Sequence, residues 1–166
     1  GHTDLIAHLA VDPFQPDIIA TVSCDQSLRL WDLSQHQSHQ ITVMSFKQQA
    51  ETPLSVCYHP RRMGLMAIGF DSGCTGIYVY NGHNKEWRTL CTSDEKRGTS
   101  PPILQVGFAL LKGTSSRLMS WALNGMMSAY DESTHFHKTA VIDTHIRQQQ
   151  KKTQRRMIER GMAINN

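Results

Sequence analysis

Residues 17–33 read DIIATVSCDQSLRLWDL. Two runs rich in apolar and β-branched residues flank a polar break at Asp25-Gln26, the pattern of two antiparallel strands joined by a tight turn. An earlier apolar run, 6–13, stops at Asp12-Pro13, where the missing proline N–H blocks the next ladder hydrogen bond. The third strand ends on an aromatic residue followed by an acid, Trp31-Asp32.

The same plan returns twice. Runs 54–60, 65–70 and 75–81 form a second set, with His59-Pro60 closing its first member, and runs 103–110, 117–123 and 126–131 form a third. The terminal pairs are Trp31-Asp32, Tyr80-Asn81 and Tyr130-Asp131, spaced by 49 and then 50 residues. Between the sets, 40–46, 86–92 and 139–143 read as fourth strands. Units of four short strands at this period predict an all-β chain built as a partial β-propeller of about three four-stranded antiparallel blades. The expected units are 1–46, 47–92 and 93–144, followed by a basic, Gln-rich helix or tail at 145–166. Pro101-Pro102 reads as a stiff connection between blades.

The first unit resembles the WD-repeat family, since it opens on Gly1-His2 and closes on Trp31-Asp32. The resemblance implies a hydrogen-bonded structural tetrad of His2, Thr21, Asp25 and Trp31. In it Asp25 accepts from His2, His2 turns its other nitrogen to Thr21, and Thr21 reaches the Trp31 indole, so each buried polar group has a partner. A histidine, a hydroxyl and an acid also invite a catalytic-triad reading, but the nucleophile would be a threonine on a buried strand. The later units depart from the pattern. The second carries Asp71-Ser72-Gly73 at its turn and Tyr78 or Tyr80 where tryptophan is expected, and the third carries Ser120, Asn124 and Tyr130. Two runs, 51–60 and 67–73, are similar to blades of large WD-repeat proteins associated with the microtubules of centrioles and cilia.

The formal net charge is +3, unevenly placed. Residues 145–166 carry six basic groups and one acid, 6 − 1 = +5, leaving 11 basic and 13 acidic groups, −2, on the rest. The tail is the one segment with a partner-attracting field, and Lys151, Lys152, Arg155 and Arg156 are the expected contacts to an acidic surface. No aromatic residue interleaves them, which counts against single-stranded nucleic acid.

Other chemistry is thinly represented. There is no phosphate-binding loop and no Gly-x-Ser-x-Gly elbow. His36 and His39 fall in a Gln-rich loop, and His135 and His137 alternate on an expected strand; neither pair has zinc-ligand spacing. The expectation is a non-catalytic scaffold with no cofactor, no metal and no small-molecule substrate. Its partners would be other proteins, a microtubule among them, with nucleic acid the less favoured alternative and no membrane. Four dispersed cysteines fit reduced thiols in a cytoplasmic setting, and the likeness to proteins of centrioles and cilia implies a cytoskeletal one. Three blades alone would leave open edges, so the segment is expected to be part of a larger ring.

Overall fold

The computed structural model describes residues 1–34, 39–93, 100–111 and 115–143. Among them twelve strands form three four-stranded sheets. The first holds β1 (Ile6–Val11), β2 (Ile18–Ser23), β3 (Ser27–Asp32) and β4 (His39–Ser45). The second holds β5 (Pro53–Tyr58), β6 (Leu65–Phe70), β7 (Thr75–Asn81) and β8 (Glu86–Thr92). The third holds β9 (Ile103–Leu110), β10 (Ser116–Ala122), β11 (Met126–Asp131) and β12 (His137–Asp143). Strands pair in chain order and always antiparallel. The expected basic helix at 145–166 lies outside the described residues.

Register shows that the three sheets repeat one another. In each, the pairing of the third and fourth strands slips at one place: before Trp31, before Tyr78 and before Tyr130. The slip fixes Trp31, Tyr78 and Tyr130 as equivalent positions, so Tyr78, two residues before Tyr80, holds the tryptophan's place in the second blade. The tight turn between second and third strands needs a left-handed residue each time: Gln26, Gly73 and Gly125. In the first blade Asp25 Oδ1 accepts from Ser27 N–H at 3.0 Å and holds the turn without glycine. At Gly73 any Cβ would lie 2.4 Å from Ser100, so both the left-handed backbone and the close approach demand glycine.

The cores lie between blades, and β6 shows how. All six of its residues are buried. Its side chains alternate between two faces, as a strand requires. Met66, Ile68 and Phe70 enter one core with Ala20, Val22, Leu28 and Leu30 of the first blade. Leu65 and Ala67 enter another with Val106, Leu118 and Tyr130 of the third. A strand buried on both faces reads as a continuous apolar run, which LMAIGF is. Each fully buried aliphatic side chain contributes about 1.5–3 kcal/mol.

Each internal seam thus joins the Leu30-type face of one blade to the Tyr78-type face of the next. Among the described residues, one face of each type has no other blade against it. On the first blade it carries Leu9, 56% exposed, with Val11 and Val43. On the third it carries Trp121, 38% exposed, in the row that β10 and β11 form with Met127.

Candidate functional site

The four residues expected as a tetrad meet on the uncovered face of the first blade. His2 Nδ1 lies 2.9 Å from Asp25 Oδ2, and His2 Nε2 lies 2.7 Å from Thr21 Oγ1. The Trp31 indole N–H donates to Thr21 Oγ1 at 2.8 Å. The donors form a single consistent chain. Trp31 N–H gives to the threonine oxygen, the threonine O–H to His2 Nε2, and His2 Nδ1–H to Asp25, which can only accept. Burial pushes the Asp25 carboxyl up, but hydrogen bonds from Ser27, His2 and the Thr3 N–H outweigh it and hold the group well below the usual carboxylate range. The threonine oxygen already takes the indole proton and gives its own to histidine, and strand β2 fixes it in place. This network organises a blade and presents no nucleophile to a substrate.

Among the described residues, the equivalent positions of the other blades do not repeat this four-residue network. In the second, Ile68 and Tyr78 replace Thr21 and Trp31 and pack against Phe46, whose ring centroid is 5.9 Å from that of Tyr78. In the third, Ser120 Oγ is buried with no hydrogen-bond partner among the described residues, while Asn124 Oδ1 accepts the local Met126 N–H at 3.0 Å.

A second polar cluster, which the sequence reading passed over as a turn terminator, bridges the second and third blades. His59 is 2% exposed, and its Nε2 lies 2.7 Å from Ser116 Oγ. Ser116 O–H donates to Glu132 Oε2 at 2.6 Å, and Arg62 Nη1 donates to Glu132 Oε1 at 2.8 Å. His59 Nδ1 accepts the Arg61 backbone N–H at 3.0 Å, so its proton sits on Nε2 and points at the serine. A serine, a histidine and a glutamate are present, but in the wrong order for acyl transfer. The histidine cannot take the serine's proton, because Nε2 already carries one and the serine gives its own to glutamate. Burial lowers the His59 pKa; the facing Glu132 charge opposes this, and Arg62 adds to it.

The matching place between the first and second blades is built differently. By register Asp12, Tyr58, Gly64 and Tyr80 stand where His59, Phe108, Ser116 and Glu132 stand one blade later. They line a cleft of about 540 Å³, together with Leu30 and Met66 among others. Asp12 is 4% exposed, and its Oδ1 accepts the Phe14 N–H at 2.8 Å. The hydroxyls of Tyr58 and Tyr80 are both buried without a hydrogen-bond partner among the described residues. Only the repeat register, matching Asp12-Pro13 to His59-Pro60, could have signalled this site in the sequence.

Of the remaining expected groups, Lys151, Lys152, Arg155, Arg156 and His36 lie outside the described residues. His39 begins β4 and is exposed. His135 is not on a strand: it closes a short 3-10 turn, Glu132–Thr134, with φ 55°, whereas His137 begins β12. Both are exposed, and no group of three or more His, Cys, Asp or Glu suited to a metal occurs among the described residues.

No family model matches the chain. Over 78 residues it is 32% identical to the human protein nucleoporin Nup37, a stretch covering 47% of this chain and 22% of that one. Over 87% of its length it superposes on the solved WD40 repeats of RRP9, with a TM-score of 0.66 and 18% identity, covering 40% of that chain. The fold is therefore that of WD40 β-propeller blades. The chain spans less than half the length of either protein.

Proposed function

We propose that this chain is a non-catalytic scaffold that binds other proteins within a multi-subunit assembly. One observation carries the reading: both clusters that could pass for catalytic triads spend their protons internally. Thr21 and Ser116 each sit inside a closed donor chain, one organising a blade and one joining two blades. The WD40 fold and the local likeness to a nucleoporin agree with a binding role but do not select a partner. The chain is assayed with p-nitrophenyl esters and phosphates, and cross-linked partners are counted in parallel. Turnover that Ser116→Ala abolishes would overturn the scaffold reading; stoichiometric partners with no turnover are expected.

The finer reading is a cytoplasmic, cytoskeletal setting in which the basic segment 145–166 rests on the acidic surface of a microtubule. The charge split supports it: +5 there, from six basic groups and one acid, against −2 elsewhere. Exposed charges are screened over about 8 Å at physiological salt, so such binding falls as salt rises. Co-sedimentation at two salt concentrations, with Lys151, Lys152, Arg155 and Arg156 replaced by Gln, is expected to show salt-sensitive binding in the parent only. Binding that survives the replacements, or its absence from the parent, removes the microtubule. Salt-sensitive retention on duplex nucleic acid in place of microtubules would transfer the reading to a nucleic-acid-associated complex.

A further inference from the structure

We infer that the cleft between the first and second blades, built from Asp12, Tyr58 and Tyr80, receives a basic side chain of a partner protein, arginine in first place. The inference rests on the scaffold reading and gives it a site.

The chain supplies its own template for the occupant. One blade later the same register positions form a filled seam, where the Glu132 carboxylate meets the Arg62 guanidinium at 2.8 Å and Ser116 and His59 complete the bonding. In the cleft the carboxylate belongs to Asp12, and no cation reaches it among the described residues. Its Oδ1 is used by backbone N–H groups of Phe14 and Gln15, at 2.8 and 3.4 Å, which leaves Oδ2 for an incoming donor. Gly64, the counterpart of Ser116, fills no space. It also cannot be enlarged, since its φ is +70° and a Cβ would lie 2.4 Å from the Tyr80 carbonyl oxygen. The cleft is therefore kept open by a backbone constraint.

The lining selects the ligand class. Leu30, Met66 and Val79 offer an apolar wall to a methylene stem and Asp12 offers an acceptor to its head. Both phenol oxygens are buried and unpartnered among the described residues, and become acceptors as the tyrosine rings turn toward the head. Burial and the nearby Asp12 charge both raise the Tyr58 pKa, so the phenol stays protonated beside the carboxylate. A guanidinium brings five donors and a delocalised charge, and stacks on aromatic faces; an ammonium brings three donors. A neutral apolar side chain would leave Asp12 Oδ2 and both hydroxyls without partners, which burial penalises.

The test labels the chain with 3-fluorotyrosine and follows the 19F signals of its four tyrosines, Tyr58, Tyr78, Tyr80 and Tyr130. The probes are n-butylguanidinium and 1-pentanol, a stem without the charge. Butylguanidinium is expected to shift Tyr58 and Tyr80 saturably while Tyr78 and Tyr130 stay in place. Pentanol, and butylguanidinium on Asp12→Asn, should bind about tenfold more weakly or worse. Asparagine keeps the Oδ1 acceptor, so the turn to Phe14 survives; movement of Tyr78 or Tyr130 in the unliganded variant would show otherwise. In that event Tyr58→Phe with Tyr80→Phe replaces it, keeping both rings, with Trp87 as the fluorescent reporter and the same loss expected. Equal binding of pentanol, shifts spread over all four tyrosines, or undiminished affinity in the variant overturns the inference. Any of these leaves the scaffold reading standing, because that reading fails only through the turnover and partner assays above.

Discussion

Tyr78 in β7 occupies the register position that Trp31 occupies in β3, and its ring rests over Gly76, where a Cβ would come within 2.5 Å of the ring. The first blade has Arg29 at the glycine's place, beside an uncovered face. The second blade has its Tyr78 face pressed against the first blade, so the ring must lie flat against its own strand, and glycine makes the room. Gly76→Ala is expected to push the ring into Phe46 and destabilise the fold by about 1–3 kcal/mol, the usual cost of overpacking a filled core. Urea unfolding of the variant measures it, and a midpoint equal to the parent's would show that the ring has somewhere else to go.

Thr21→Val isolates the hydrogen bonding of the first blade from its packing, because valine nearly conserves shape. It strands the Trp31 indole N–H and His2 Nε2 at once. The expected loss is about 1–3 kcal/mol, from polar groups left unsatisfied. Trp31→Ala should cost less than the ~3–5 kcal/mol of emptying a fully buried aromatic site, since the ring is only partly buried. A thermal melt in which Thr21→Val matches the parent would mean that water replaces the hydroxyl freely.

The strand plan was legible because each blade repeats an apolar run, a polar turn and an aromatic stop, a signal that does not depend on any single contact. The His2, Thr21, Asp25 and Trp31 grouping was legible for the same reason: all four lie in one blade at fixed offsets. The seams were not. His59 meets Ser116 from 57 residues away, and Arg62 meets Glu132 from 70. Such pairs are set by which blade faces which, and no local pattern records that. The Tyr78 and Tyr80 ambiguity has a related cause. The two residues differ only in which side of a slipped ladder they occupy, and the slip is visible only in the pairing.

The two uncovered faces are of opposite type, one like Tyr78's and one like Leu30's, and the internal seams show that these types fit each other. The 166-residue chain alone is expected to associate head to tail through them. Sedimentation velocity should show species larger than a monomer that dissociate when Leu9→Lys and Trp121→Lys are combined. Leu9 and Trp121 are 56% and 38% exposed, so lysine costs the monomer little. A compact monomer of the parent at high concentration would show that the faces tolerate water.

Acid should loosen the molecule in two stages, and the first belongs to His59. Burial lowers its pKa in the folded chain, so the unfolded chain binds the proton first as pH falls through the unfolded histidine value near 6.5. Folding stability is therefore full above that value and declines below it. The geometry supplies a reason: a second proton would go on Nδ1, which faces the Arg61 N–H at 3.0 Å, placing donor against donor. The second stage belongs to Asp25 and Glu132, whose folded pKa values are lowered. Burial raises both carboxyls, and their hydrogen bonds, chiefly from Ser27 to Asp25 and from Ser116 to Glu132, outweigh it. Their contribution is present above the ordinary carboxylate range, near 4, and is lost as pH falls through the lowered values. Urea titrations at intervals between pH 8 and pH 3, for the parent and for His59→Gln, separate the stages. Glutamine can still donate to Ser116 and carries no titrating proton. The variant is therefore expected to be less stable than the parent at pH 8 but flat down to about pH 5, then to fall with the parent below it. A parent whose stability is also flat between pH 8 and pH 5 would show that the seam between the second and third blades opens to water before the imidazole titrates.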